Sequence, residues 1–131
     1  MQTEVRRKDL VYPDLSYKIV GILFDVYNEL GFGYSESHYQ KAIAISLREN
    51  NIKFKEQVYL PIQFKNEIIG KYFLDYLIED KVILEIKKEA KFSKKNIDQV
   101  NNYLKSFNKK LAILANFDKS GIKFKRLVYL N

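Results

Sequence analysis

Three runs of β-branched and aromatic residues follow one another between residues 54 and 87, with only short polar segments between them. The runs read VYLPIQF, IIGKYFLDYLI and KVILEIK, and the separators are KNE and EDK. Such runs favour strands, and separators this short are typical of hairpin turns. The sequence therefore predicts an antiparallel meander. Its third strand is apolar on both faces, so we expect it near the centre of the sheet, and Gly70 is a candidate bulge.

Two helices are predicted before the meander. From Leu15 to Leu30 apolar residues recur at helical spacing, and Gly31 supplies a C-terminal stop. Ser35 is a suitable N-cap for a second helix from Glu36 to about Asn50. The inward stripe of this helix contains Tyr39, Ile43 and Leu47.

One helix and two strands are predicted after the meander. Ser93 is a suitable cap for the helix KKNIDQVNNYLKSF, and KLAILAN and GIKFKRLVYL have the composition of strands. The buried stripe of the helix consists of Ile97, Val100, Leu104 and Phe107. The predicted order is ααβββαββ, an α/β fold in which helices flank a central mixed sheet built from the meander and further strands.

The length and composition bound the class of protein. The 131 residues suffice for a single domain, 1–131, with residues 1–13 as a polar N-terminal arm. An apolar fraction of 47% indicates a compact chain. No apolar run approaches the roughly 18 to 20 residues that span a bilayer, and the charged N-terminus is unlike a signal peptide. We therefore expect a soluble, cytoplasmic protein without a membrane partner.

The polar composition restricts the chemistry further. There is no cysteine, and His38 is the single histidine, which excludes thiolate and histidine-rich metal sites. Any bound metal must be held by oxygen, as Mg²⁺ or Mn²⁺ is. The net charge of +7 makes a polyanion a natural partner, although many basic proteins carry only solvated lysines.

Charged residues interrupt two of the apolar strands. Glu85 and Lys87 are two apart in VILEIK, so they project from the same face of the third strand. A structural ion pair between them is one explanation. Asp75 is the second interruption, and a hairpin turn centred near residue 80 brings it opposite Glu85. Carboxylates about 4 Å apart repel by about 4 kcal/mol at an effective dielectric near 20, and a divalent cation would remove that conflict.

Further candidate residues lie on the helices. Gln99 and Tyr103 share one face of the third helix and are expected to flank its apolar stripe; they are either site residues or a polar border. Glu36 falls in the first turn of the second helix, where complementing the helix dipole is the simpler interpretation. His38 is expected to be a surface or partly packed histidine.

Taken in order, these residues resemble the PD-(D/E)XK nuclease superfamily, and more narrowly the small proteins of the GxxExxY family. The name motif is present as Gly33, Glu36 and Tyr39, and the resemblance runs from about Leu15 to Val128. It includes the strand aspartate, EIK and QVNNYL, and it implies a restriction-endonuclease-like core. One departure is Leu74, which stands before Asp75 where the superfamily name has proline.

The resemblance implies a role for each candidate residue. Asp75 and Glu85 would be the metal-binding acids, with Glu36 reaching the metal directly or through water. Lys87 would polarise the attacking water or stabilise charge on the phosphate. Gln99 and Tyr103 match the QxxxY motif, which supports the site and the nucleic acid, and Tyr39 joins them as a supporting residue.

The implied function is hydrolysis of phosphodiester bonds with Mg²⁺, for which Mn²⁺ would substitute. DNA is favoured over RNA as the substrate, and a homodimer is left open. Two alternatives remain at this stage. The first is a catalytically silent nuclease-fold module that binds nucleic acid or a protein partner, and the second is a purely structural domain with an internal ion pair.

Overall fold

The computed structural model describes residues 11–130, which form three helices and five strands. In chain order these are α1 (Pro13–Leu30), α2 (Glu36–Glu49), β1 (Phe54–Phe64), β2 (Glu67–Ile78), β3 (Val82–Lys87), α3 (Lys94–Phe107), β4 (Leu111–Asp118) and β5 (Gly121–Val128). The predicted order ααβββαββ is confirmed. Most of the predicted N-terminal arm, 1–13, lies outside the described residues. No helix among residues 11–130 is long and apolar enough to cross a membrane.

The five strands form one mixed sheet in the order β1-β2-β3-β4-β5. The β1–β2, β2–β3 and β4–β5 pairs are antiparallel, whereas β3 and β4 are parallel. The parallel pair follows from the long connection through α3, because a hairpin turn cannot join parallel strands. The predicted meander and the central position of its third strand are confirmed.

Apolar side chains cover both faces of the sheet. Helices α1 and α2 pack on one face against residues such as Tyr76, Leu84 and Ile113. Helix α3 packs on the other face against residues such as Ile83 and Leu114. Because β3 and β4 are covered on both sides, their sequences are almost continuously apolar.

The α3 stripe differs from its prediction at one residue. Val100 and Leu104 are buried, and Ile97 and Phe107 are partly buried against the same cluster, as expected. Tyr103, however, is only 3% exposed and belongs to the core instead of flanking it. Its ring packs edge-on against Tyr72 of β2, with centroids 4.8 Å apart. The hairpin formed by β1 and β2 therefore widens the surface that α3 covers.

The β1–β2 hairpin carries a bulge at the predicted position. Ile62 pairs with Gly70, whereas Gln63 pairs with Ile68, which leaves Ile69 as the extra residue. A Cβ atom on Gly70 would lie 3.2 Å from Cδ1 of Ile62, so a glycine fits best here. The bulge lies in the part of β2 that only β1 pairs, because the β2–β3 ladder covers Tyr76 to Ile78 alone.

The N-terminus of α2 is closed by two side chains. The Ser35 hydroxyl accepts a hydrogen bond from the His38 amide, and His38 Nδ1 accepts one from the Ser35 amide. This capping box satisfies the first turn of the helix. It gives the exposed His38 a local role and leaves the side chain of Glu36 available for contacts outside the helix.

Candidate functional site

Asp75 and Glu85 face each other where the β2–β3 ladder ends. The last ladder pair is Tyr76 with Leu84, and the next pair in that register is Asp75 with Glu85, as the hairpin predicts. Here the backbones no longer pair. The Asp75 amide donates instead to Glu85 Oε2 at 2.7 Å, and the Ile86 amide donates to Asp75 Oδ2 at 2.8 Å. Each carboxylate therefore replaces a backbone carbonyl of the ladder, and these bonds use one oxygen of each.

Burial and mutual repulsion disfavour the ionised forms of both carboxyl groups. Glu85 is only 3% exposed, and burial, followed by the charge of Asp75, raises its pKa to about 8. Burial also raises the pKa of Asp75, although the Ile86 amide and the charge of Lys87 oppose the rise. Two acids in this environment do not both ionise readily, unless positive charge is brought to them.

Lys87 is the nearest positive charge on the same strand. It is partly buried, and its charge lowers the pKa of both Asp75 and Glu85. Among the described residues, no ion pair within 4.0 Å joins Lys87 to Glu85. A direct ion pair between Lys87 and Glu85 therefore does not explain the charged residues in this strand.

Glu36 is a third carboxylate close to this pair. It is partly buried at the start of α2, and its Oε2 accepts a hydrogen bond from the Lys88 amide at 3.1 Å. Its charge also contributes to the raised pKa values of Asp75 and Glu85. Since the capping box already satisfies the helix terminus, Glu36 acts across the gap between α2 and the end of β3.

A hard divalent cation needs oxygen donors that lie close together. Within residues 11–130, no three or more Asp, Glu, His or Cys side chains cluster closely enough to hold a metal ion. Asp75 and Glu85 form a close pair, with Glu36 in electrostatic range. Mg²⁺ commonly takes one or two carboxylates and completes its shell with water and phosphate oxygens. The residues present therefore fit an oxygen-coordinated divalent cation held by two protein ligands.

The other predicted site residues lie at different distances from the carboxylates. Burial and the charges of Glu85 and Asp75 raise the pKa of Tyr103, which places this phenol in electrostatic range of the pair. Gln99 lies one turn earlier on α3 and is partly buried. Tyr39 is fully buried, and its hydroxyl donates to the Gly31 carbonyl at 2.5 Å. Its contact is with the loop before Glu36, and not with the carboxylates.

Two residues next to the site were not predicted from the sequence. Gln57 of β1 lies opposite Asp75, and its side chain helps to lower the pKa of that carboxyl group. Asn116 of β4 lies beside Lys87 in the parallel register, and its amide group bonds to both the N–H and the carbonyl of Glu89. Gln57 could have been found, because a turn at residues 65 and 66 followed by a one-residue bulge beside Gly70 sets it opposite Asp75. Asn116 was visible as a polar residue ending an apolar strand.

Comparisons with known proteins agree with this architecture. A family model described as the PD-(D/E)XK nuclease superfamily matches residues 13–127. A search of curated proteins finds no match. Four solved chains match, and one of them is the crystal structure of SSO0001, at 17% sequence identity and a TM-score of 0.56. That alignment covers 99% of this chain and 61% of the SSO0001 chain, so the likeness extends to part of that protein.

The family match and the fold support each other. The match spans all three helices and all strands except the end of β5. The mixed five-stranded sheet, flanked by helices on both faces, is a restriction-endonuclease-like fold. The two strand acids, EIK and the preceding helix acid lie in the matched region. The chain therefore belongs to the PD-(D/E)XK nuclease superfamily.

Proposed function

We propose that this protein is a divalent-metal-dependent nuclease of the GxxExxY type that hydrolyses phosphodiester bonds in DNA. The observation that carries the proposal is a pair of hydrogen bonds at the end of the β2–β3 ladder, where the Glu85 carboxylate accepts from the Asp75 amide and the Asp75 carboxylate accepts from the Ile86 amide. Nucleases of this superfamily generally use divalent metals. Mg²⁺ is the proposed ion, with Mn²⁺ as its substitute, since all the ligands on offer are oxygens.

The proposed metal ligands are the paired acids, supported by Glu36. Asp75 and Glu85 would each hold the cation through the oxygen that their backbone bonds leave unused. A divalent cation bound there would generate a nucleophile from water at neutral pH and neutralise charge on the phosphate. Glu36 would complete the shell directly or through water.

The remaining residues would bind and orient the substrate. Lys87 lies two residues after Glu85 and would place its ammonium group against the phosphate, where negative charge builds during attack. Tyr103 and Gln99 would support the carboxylates from the α3 side. Tyr39 would act indirectly, because it holds the loop that precedes Glu36. The net charge of +7 would attract the nucleic acid to the protein surface. A bound cation would then offset the repulsion between the phosphate and the carboxylates of the site.

A cleavage assay with matched variants tests the proposal. Wild-type protein should cut at least one form of DNA with Mg²⁺ or Mn²⁺, and chelation should stop cutting. Asp75→Asn and Glu85→Gln should lose at least about a hundredfold in rate while remaining folded. Asp25→Asn changes an exposed carboxylate of α1 and should keep full activity. Absence of cutting across single-stranded, duplex and branched DNA and RNA would refute the enzyme.

A catalytically silent module that binds nucleic acid or a protein partner is the second candidate. It is favoured by one observation: Glu36 bonds to the Lys88 amide and does not form a three-acid cluster with Asp75 and Glu85 within the described chain. Calorimetric titration with Mn²⁺ separates the candidates. Uptake of Mn²⁺ that Glu85→Gln abolishes supports the nuclease, whereas DNA binding without any Mn²⁺ uptake supports the silent module.

A further inference from the structure

Gln57 occupies an irregular position in the β1–β2 hairpin. Its φ angle is 49°, in the left-handed region that a residue with a side chain rarely adopts inside a strand. Glu56 pairs with Tyr76 and Val58 pairs with Leu74, so the register passes over Gln57 and Asp75 although they lie opposite each other. The irregularity in β1 therefore coincides with the proposed metal ligand in β2.

At this position the even-numbered residues of the hairpin change from one face of the sheet to the other. Before it, Phe54 and Tyr76 pack with α1 and α2. Beyond it, residues of the same even parity, Leu60 and Leu74, pack with α3 instead. A regular strand keeps one parity on one face, so the chain must rotate between these pairs. The left-handed backbone of Gln57 provides a rotation in β1 opposite Asp75.

The side chain of Gln57 also interacts with Asp75. Gln57 is exposed in β1, and its side-chain amide lies within interaction range of the Asp75 carboxyl group, whose pKa it helps to lower. The Ile86 amide holds Oδ2 of the same carboxylate from β3. Asp75 is therefore hydrogen-bonded from β3 and has the Gln57 side chain beside it on β1, at the point where neither strand forms a regular ladder pair with it.

We infer that Gln57 is a positioning residue, which fixes the Asp75 carboxylate toward Glu85 so that a divalent cation can bind between them. The inference rests on the proposed function in treating Asp75 as a metal ligand. Gln57 would position Asp75 in two ways. The backbone turns the hairpin at Asp75, and the amide prevents the carboxylate from rotating away. Partners that orient a metal ligand commonly contribute ten- to a hundredfold in metal affinity.

Three variants separate the amide from the backbone. Gln57→Gly removes the amide but adopts the left-handed backbone without strain, so its urea midpoint should equal or exceed that of wild type. Gln57→Ala removes the amide and keeps the strain. Gln63→Ala is the matched control, because Gln63 is an exposed glutamine of the same strand. A merely structural role for Gln57 would link any loss of metal affinity to a loss of stability.

Two measurements on these proteins decide the inference. Calorimetry should show Mn²⁺ affinity reduced by roughly tenfold or more in Gln57→Gly and Gln57→Ala, and unchanged in Gln63→Ala. Without metal, hydrogen exchange at the Ile86 amide should accelerate in both Gln57 variants. The Glu89 amide, which bonds to Asn116, should exchange at its wild-type rate.

The outcomes distinguish this inference from the proposed function. Wild-type affinity for Mn²⁺ in Gln57→Gly, together with unchanged Ile86 exchange, would overturn the role of Gln57 and leave the metal site intact. If wild-type protein took up no Mn²⁺, the metal-dependent function would fail. In that case the exchange measurement alone would decide whether Gln57 orients Asp75.

Discussion

Replacing Glu85 by glutamine should stabilise the metal-free protein at alkaline pH. The amide oxygen of glutamine can still accept the hydrogen bond from the Asp75 amide, and its NH₂ group can donate toward the Asp75 carboxylate. The substitution therefore keeps the polar contacts of this buried position. It removes the charge that burial and Asp75 disfavour.

The size of the effect follows from the raised pKa of Glu85. The folded protein holds this proton up to about pH 8, whereas the ordinary value is 4.5. Between these values the folded state binds more protons, so stability falls as pH rises. The cost is absent well below pH 4.5 and complete above pH 8, where 3.5 pKa units correspond to roughly 5 kcal/mol. At pH 5 it is only about 1 kcal/mol.

Urea unfolding at pH 5 and pH 9, in chelator, measures the prediction. The stability advantage of Glu85→Gln over wild type should widen by up to about 4 kcal/mol between the two conditions. Glu29→Gln changes an exposed acid of α1 and should show no such widening. Adding Mn²⁺ at pH 8 should stabilise wild type and leave Glu85→Gln unchanged. An advantage that does not depend on pH would refute the reasoning.

Two further substitutions test the scaffold of the site by urea unfolding. Asn116→Ala should lower the free energy of unfolding by about 2 to 4 kcal/mol, because the Asn116 side chain is only 1% exposed and makes two bonds to the Glu89 backbone. The control is Asn102→Ala, at an exposed position of α3. Equal losses in the two variants would contradict a structural role for the Asn116 bonds. Ser93→Ala should cost about 1 kcal/mol through loss of the bond to the Asn96 amide. Ser106→Ala, at an exposed position near the end of α3, should cost less; a similar loss would show that the cap is not responsible.

The strand order and the opposition of Asp75 and Glu85 were predictable because short turns leave little freedom. A hairpin closed by EDK fixes which residues face each other, and the β2–β3 ladder keeps that register. Fully apolar runs then place β3 and β4 in the interior, since only strands covered on both faces have such sequences. These inferences depend on local chain geometry and need no knowledge of how the helices pack.

The features that escaped prediction depend on contacts distant in sequence. A helical wheel places Tyr103 beside the apolar stripe of α3. Tyr103 is part of the core because its ring packs against Tyr72 of the β1–β2 hairpin, a contact that the helix sequence does not show. The role of Gln57 depends on a left-handed backbone angle that no apolar pattern encodes. The function of His38 was local but unusual, because histidine takes the place of the glutamate or glutamine of a standard capping box.

The proposed site and the sheet use the same two carboxylates, which explains why charge is tolerated in the middle of β3. A backbone ladder continued through Asp75 and Glu85 would have used carbonyl acceptors and left the carboxylates no buried partners. Here the carboxylates are themselves the acceptors, so no buried side-chain polar atom among the described residues lacks a partner. This arrangement satisfies the hydrogen bonds of the two strands but places two carboxyl groups where they repel each other when ionised. A bound cation would relieve that repulsion. Cation binding and the hydrogen bonds that join β2 to β3 at this point are therefore expected to stabilise each other.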